Sequence, residues 1–253
     1  MLTLNNITTL CDYLDSRGVR YYGDCMDIIR DRENGREFSF SIHLKGLIYS
    51  LLSNQTKWTN IEPKLSEVDK LFFNYDYEKI LKMPEDYFRN GIFELKCGNM
   101  STKAQMSELG YNIGIFKKIE GEYGSIDNFV ESAPAYQIVK LISDSDSHYK
   151  LRMVGEALAW EYLRNVGVDG AKPDTHMRRF LGNDRMGTCG HSPATINEVI
   201  NQVDDISRET GLYKIEIDNI IWSYCADGYG EICTAVPHCE HCVIRDCCKH
   251  GRN

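Results

Sequence analysis

The stretch LRMVGEALAWEYLRNVGVDGAKPDTHMRRFLG, residues 151–182, decides how this chain is read. From Val154 to Leu163 its apolar residues recur at three- and four-residue intervals, the period of one buried helical stripe. Gly155 stands at the head of that stripe, where a backbone without Cβ can approach another surface closely. Asp174 and Thr175 then precede a second helical stretch, and a short carboxylate in that place caps free backbone N–H groups. A turn between two helices, with N–H groups and helix dipoles turned outward, is suited to binding a phosphate.

Outward from this stretch, helix dominates. FSIHLKGLIYSLLS, residues 40–53, carries Ile42, Leu44, Leu47, Ile48, Leu51 and Leu52 along one face, and similar stripes recur at residues 113–119 and 215–224. Strand signals are weak. The Asn34-Gly35 pair falls in RDRENGRE, residues 30–37, which reads as a polar surface turn rather than a hairpin between alternating apolar runs. No internal repeat is visible, which disfavours a solenoid. The 253 residues, 42% hydrophobic, suffice for one large domain or two modest lobes.

Five of the ten cysteines fall between Cys233 and Cys248, in CTAVPHCEHCVIRDCC. Cys233, Cys239, Cys242 and Cys248 are separated by five, two and five residues. Four thiolates at short, fixed spacings build a tetrahedral soft-ligand cage, suited to an iron–sulfur cluster or to a structural zinc, and His238 and His241 lie inside the loop. An adjacent pair, Cys247 and Cys248, with a two-residue gap upstream cannot all point into one apolar core. The opening residues MLTLNNITTLCDYLDSRG lack the basic start of a signal peptide, and no apolar run approaches the roughly 18 residues of a membrane span. The expected location is the cytoplasm, where clustered cysteines bind metals rather than one another.

Taken together, these segments resemble the endonuclease III type of helix-hairpin-helix DNA glycosylase. Val154 and Gly155 match the last two residues of that family's LPGVG hairpin, Asp174-Thr175-His176 the end of its VDTH, and LLSNQ from Leu51 its LLSAQ. IIWSYCADGYGEIC runs into the cysteine loop as the family's last helix does, so the resemblance spans residues 38–249 in order. The family's cysteine intervals are six, two and five, one residue longer in the first. Cys248 keeps the last interval, whereas Cys247 would shorten it to four.

The resemblance implies an all-α, two-lobed fold. A six-helix barrel with the hairpin would occupy residues 39–167, and residues 1–38 and 168–253 would form a discontinuous domain closed by a [4Fe-4S] loop, with Asp174 at the cleft. It also implies a monomeric DNA glycosylase of base excision repair, acting on double-stranded DNA that carries a damaged or mismatched base. Such enzymes flip the base from the stack and fill the gap. Gln55 would be the filler, and Arg152, Val154 and Gly155 would meet the phosphate backbone. Asp174 would stabilise positive charge on the sugar and activate water. In bifunctional members a lysine two residues after the second hairpin glycine attacks the sugar. Here that position is Ala157, which implies hydrolysis without strand cleavage. The hairpin departs from the pattern at Arg152 and Met153, which replace proline and the first glycine. A non-catalytic protein binding DNA lesions or structures on the same scaffold is the alternative.

The net charge of −8 is unusual for a phosphate-binding protein. A basic face is expected at residues 171–185, where Lys172, Arg178, Arg179 and Arg185 exceed Asp174 and Asp184 by two charges. An acidic face is expected around Asp204, Asp205, Glu209, Glu216 and Asp218. Tyr49, Trp58, Trp160 and Trp222 are candidate walls for a flipped base, and the base itself is not legible.

Overall fold

The computed structural model describes residues 2–21, 25–84, 86–188 and 190–252, the side chain of Cys25 excepted. Among them lie fifteen α-helices and no strand. None of these helices is long and apolar enough to cross a membrane. The chain divides into two compact units, a continuous one, Ile28–Val168, and a discontinuous one made of Met1–Asp27 and Asp169–Asn253.

The continuous unit is organised on helix Phe40–Leu52, in which Leu44, Leu47, Ile48, Leu51 and Leu52 are fully buried. Its partner is helix Glu156–Asn165, the second helix of the hairpin. Gly46 makes the approach possible, because a Cβ there would lie 2.9 Å from Val166 Cγ1 and 3.3 Å from Asn165 Cβ. Two bonds stitch the contact: Asn165 Nδ2 donates to the Gly46 carbonyl at 3.0 Å, and Ser50 Oγ to the Leu158 carbonyl at 2.6 Å. Helix Ala135–Ser143, with Ile138, Val139 and Ile142 inward, is the first helix of the hairpin and packs on the second.

The expected surface turn at residues 30–37 is only half a turn. Helix Cys25–Glu33 runs through its first four residues, and the Arg32 side chain is 10% exposed. Arg32 is drawn inward because Asp127 Oδ1 accepts from it at 2.6 Å and the Val166 carbonyl at 2.8 Å. Asp127 also accepts from the Phe38 N–H at 2.9 Å and meets His43 Nε2 at 3.1 Å, while His43 Nδ1 meets the Tyr162 hydroxyl at 2.7 Å. Burial outweighs Asp127 at His43 and lowers the pKa of the imidazole. Burial opposes ionisation of Asp127 too, yet the bonds from His43, Phe38 and Arg32 overcome it and hold the carboxyl at about 2.

The discontinuous unit gathers helices Leu4–Ser16, Thr175–Phe180, Ile196–Thr210 and Lys214–Cys225. Leu10, Leu14, Phe180, Val203, Ile221 and Tyr224 form its core, which Cys225, Cys233 and Cys248 share. Capping boxes start helices Leu4–Ser16, Thr3 with Asn6, and Ile196–Thr210, Thr195 with Glu198, and Glu216 accepts the Tyr213 N–H at the head of Lys214–Cys225. The expected acidic face is partly internal. Asp218 is 1% exposed because its carboxylate accepts the Lys172 N–H at 2.8 Å, and Asp204 pairs with Lys214.

Candidate functional site

Asp174 is the N-cap of helix Thr175–Phe180. Its extended backbone lets Oδ1 accept two otherwise unsatisfied N–H groups, from His176 at 2.8 Å and Met177 at 3.1 Å. Among the described residues no hydrogen bond reaches Oδ2. One oxygen of the half-buried carboxylate is thus anchored at the positive end of a helix dipole.

The surroundings of Asp174 come from its own unit. His176 Nδ1 meets Arg179 Nη2 at 3.0 Å, and its ring packs edge-on against Trp222, centroids 6.0 Å apart. Trp222 in turn meets Tyr229 at 4.8 Å. Burial lowers the His176 pKa, reinforced by the Arg179 and Lys172 charges and opposed by Asp174 and Asp227. The imidazole beside Asp174 is therefore neutral at pH 7 and does not neutralise the carboxylate. Arg179 Nε donates to the Cys233 carbonyl at 3.3 Å, so the aspartate helix and the cysteine loop share a side chain.

The cysteines of that loop differ sharply. Cys233 and Cys248 are buried, at 9% and 8% exposure, and belong to the same core as the half-buried Cys242. Cys239 is half-buried, and Cys247 is exposed, its sulfur within 3.5 Å of Asn6 Nδ2. Arg185 Nη1 donates to Cys233 Sγ at 3.0 Å, and the Tyr224 hydroxyl lies 3.4 Å from Cys242 Sγ. The Cys233 thiol is lowered to about 6, first by a hydrogen bond from Cys225, then, against burial, by the charge and hydrogen bond of Arg185. Burial raises the Cys239 and Cys242 thiols, and the charges of Cys233 and Cys248 raise them further. His238 and His241 are 55% and 72% exposed and face Glu240. Among the described residues no group of three or more His, Cys, Asp or Glu side chains is set to hold a metal ion. The loop supplies four thiols, the soft donors that a thiolate-bound metal takes, and the buried Arg185 donates to one of them.

The remaining candidate residues lie in the continuous unit. The hairpin, residues 151–155, forms despite its altered sequence. Met153, where the family has glycine, takes the left-handed conformation at φ 63° and is 40% exposed. The turn is held by the fully buried Asn112, whose Nδ2 donates to the Arg152 carbonyl at 3.0 Å and whose Oδ1 accepts the Arg152 N–H at 2.7 Å. Lys150 Nζ donates to the carbonyls of Ser143, at 2.7 Å, and Val154, and burial lowers its pKa. The Arg152 guanidinium stacks 3.8 Å from the Tyr111 centroid and pairs with Glu108 at 2.9 Å. The Val154 side chain is buried, and its N–H closes the turn onto the Leu151 carbonyl at 3.3 Å. Gly155 is exposed at the N-cap of helix Glu156–Asn165, and a Cβ built there meets nothing within 4 Å. Ala157 sits in the first turn of that helix.

Gln55 lies not on helix Phe40–Leu52 but just beyond its Ser53 cap. It is exposed, its φ is 53°, and among the described residues its amide makes no hydrogen bond. Its turn is anchored from one side: Gln105 Nε2 donates to the Leu51 carbonyl at 3.1 Å and Asn54 Nδ2 to Ser101 Oγ at 3.4 Å. A left-handed non-glycine residue costs about 1–3 kcal/mol and persists where the surrounding structure holds it.

Two expectations are corrected by burial. The expected basic face at residues 171–185 loses Arg185, which is 6% exposed, while the half-buried Arg178 and Arg179 direct Nε to the carbonyls of Ala194 and Cys233. Of the aromatic candidates, Trp160 is core, Tyr49 donates to Asp69 at 2.6 Å and packs edge-on against Trp58, and Trp222 is the one packed beside the aspartate helix. The His176–Arg179 bond beside Asp174 was not expected, nor were Asn112 and Glu108 as partners of the hairpin. The His176–Arg179 spacing of three along a helix was visible in the sequence; the others become neighbours only through the fold.

No protein-family model matches the chain, and no curated protein does. Among solved structures, the chain is similar to the 8-oxoguanine glycosylase/lyase of Methanocaldococcus jannaschii, crystallised with a 15-mer DNA containing 8-oxoguanine. The TM-score is 0.55 at 18% identity, over 79% of this chain and 87% of that one. The fold is that of the helix-hairpin-helix DNA glycosylases.

Proposed function

We propose that this chain is a DNA glycosylase of base excision repair that hydrolyses the N-glycosidic bond of a flipped, damaged base in duplex DNA. The observation that carries the reading is Asp174: an N-cap carboxylate with one oxygen anchored and the other open, in a chain with a glycosylase fold. As the base departs, positive charge builds on the sugar, and a fixed carboxylate stabilises it and accepts the proton of the attacking water. His176 is neutral and bonds to Arg179 rather than to that carboxylate. Gln55 fills the vacated stack, and the hairpin, through Gly155 and Arg152, meets the backbone phosphates.

The enzyme is read as monofunctional because Ala157 occupies the nucleophile position and Lys150 is tied to two carbonyls. Cys233, Cys239, Cys242 and Cys248 would hold a [4Fe-4S] cluster. When bound, the cluster would brace the loop as structural metals do.

The test is a single-turnover assay on duplexes carrying 8-oxoguanine, uracil or an alkylated purine, with and without alkali, and with borohydride present. Base release that yields strand breaks only after alkali, with no borohydride-trapped adduct, supports the proposal. Trapping would overturn the monofunctional assignment, and binding without release from any lesion would favour the non-catalytic alternative.

A further inference from the structure

Among the described residues, Phe73, Tyr75 and Met153 are the large hydrophobic side chains carried on left-handed backbone. At the first two, packing offsets the conformational cost: the Phe73 ring stacks on Tyr87 with centroids 5.8 Å apart, and Tyr75 is 3% exposed and stacked on Phe72. Met153 has the same strain with φ 63°, yet it is 40% exposed, at a position where glycine would take the backbone without a Cβ penalty. Its conformation is imposed from the next residue. The head of helix Leu109–Tyr123 grips Arg152 in three ways: Asn112 bonds to its N–H and its carbonyl, the Tyr111 ring lies against its guanidinium, and Glu108 pairs with its charge. Leu151 and Val154 are buried, so the hairpin presents Arg152, Met153 and Gly155 outward. A strained turn thus displays an apolar chain beside a cation, and packing within the fold does not account for it.

A DNA strand offers such a surface two chemistries in alternation, an anionic phosphate and the apolar C–H edge of a deoxyribose. A guanidinium meets the first, and an unbranched thioether, which adapts to irregular apolar surfaces, meets the second. We propose that Met153 is a DNA-contact residue of the hairpin, laying its side chain on the deoxyribose next to the phosphate that the hairpin binds. This contact rests on the reading of the hairpin as a backbone-binding element given above, and it adds an apolar component that is blind to the base. Charged contacts weaken with salt through counterion release, whereas an apolar contact does not, so the parts played by Arg152 and Met153 are separable.

The experiment compares the full chain with Met153→Ala, Met153→Leu, Met153→Gly and Arg152→Gln. Binding is measured by fluorescence anisotropy over a range of salt, on a short duplex carrying a single 8-oxoguanine and on its undamaged counterpart, with circular dichroism and a thermal melt as controls for folding. Met153→Ala is expected to bind both duplexes about 5–10-fold more weakly with the salt slope unchanged, and Met153→Leu to bind within about twofold of the native chain. Met153→Gly, relieved of strain, is expected to melt no lower than the native chain and to bind as weakly as Met153→Ala. Native affinity in Met153→Ala, with a reduced salt slope in Arg152→Gln, overturns the role of Met153 and leaves the hairpin reading standing. A loss confined to the damaged duplex also overturns it, because it places Met153 against the base rather than the sugar. If the native chain binds neither duplex, or if both Met153→Ala and Arg152→Gln bind as the native chain does, the hairpin reading falls and this contact with it. Should Met153→Ala fail to fold, Met153→Gly decides alone, and native binding there overturns the proposal.

Discussion

Asp127 and Asp174 are both aspartates held by backbone N–H groups and accompanied by a histidine and an arginine, yet their oxygens are filled differently. In the continuous unit Asp127 has both oxygens filled: Oδ1 by Arg32 and His43, Oδ2 by Phe38. In the discontinuous unit Asp174 has Oδ1 filled by two N–H groups, while among the described residues Oδ2 accepts nothing. The histidine and arginine near Asp174 bond to each other instead of to the carboxylate. A saturated carboxylate holds a fold together. One with a vacant lone pair, fixed in direction by its own helix, can act on a substrate.

The comparison is most sharply broken at Asp174. Asparagine is as good an N-cap as aspartate, so Asp174→Asn should leave the melting temperature unchanged while base release falls by about 10²–10⁴-fold, the usual contribution of a positioned acid or base. Single-turnover kinetics beside a thermal melt checks this. A matched loss of stability and activity would mean that Asp174 is only a cap. Asp127→Ala should do the reverse, costing about 3–5 kcal/mol by stranding the buried Arg32, as read from denaturant unfolding. Equal stability in the two variants would dissolve the contrast.

Acid titration sharpens it further. The Asp127 carboxyl sits at about 2 in the fold against an ordinary 3.8, so its contribution of about 2 kcal/mol is complete above pH 4 and fades as pH falls toward 2. His43, whose pKa is lowered by burial, adds an earlier decline: below its ordinary 6.5 the unfolded chain takes up the proton first. A stability profile against pH should thus fall in two stages, and in Asp127→Asn the lower stage should shrink, the remainder coming from Glu198 and Asp69, whose pKa values are also lowered. The smallest expected effect is at the hairpin. Arg152→Gln should weaken binding to all duplexes alike and reduce the salt slope of log K by about one, because Arg152 would meet phosphate rather than a base. An unchanged slope would leave Arg152 merely stacked on Tyr111 and paired with Glu108.

Much of this was legible in the chain. The stripe at residues 40–53 became helix Phe40–Leu52, and those at 113–119 and 215–224 lie inside helices Leu109–Tyr123 and Lys214–Cys225. Asp174 was legible as a cap because capping is a local matter of one side chain and the next three residues. The hairpin was harder: with arginine and methionine in place of proline and glycine, its geometry rests on Asn112, forty residues upstream. The polar run at residues 30–37 was misread because Arg32 is recruited by Asp127, ninety-five residues away. The basic face failed for the same reason at Arg185, whose partner Cys233 lies forty-eight residues downstream.

The sequence by itself determined that the chain is helical, that a hairpin precedes a capping aspartate and that four thiols close the C-terminal loop. These follow from periods of three and four residues and from spacings within a single turn. Only the tertiary structure decided which charges are solvated and which are buried, which cysteines face the core, and which aspartate keeps an oxygen free. Burial and pairing depend on residues brought together from distant parts of the chain, and the free energy of a charge is set by those neighbours rather than by its own identity.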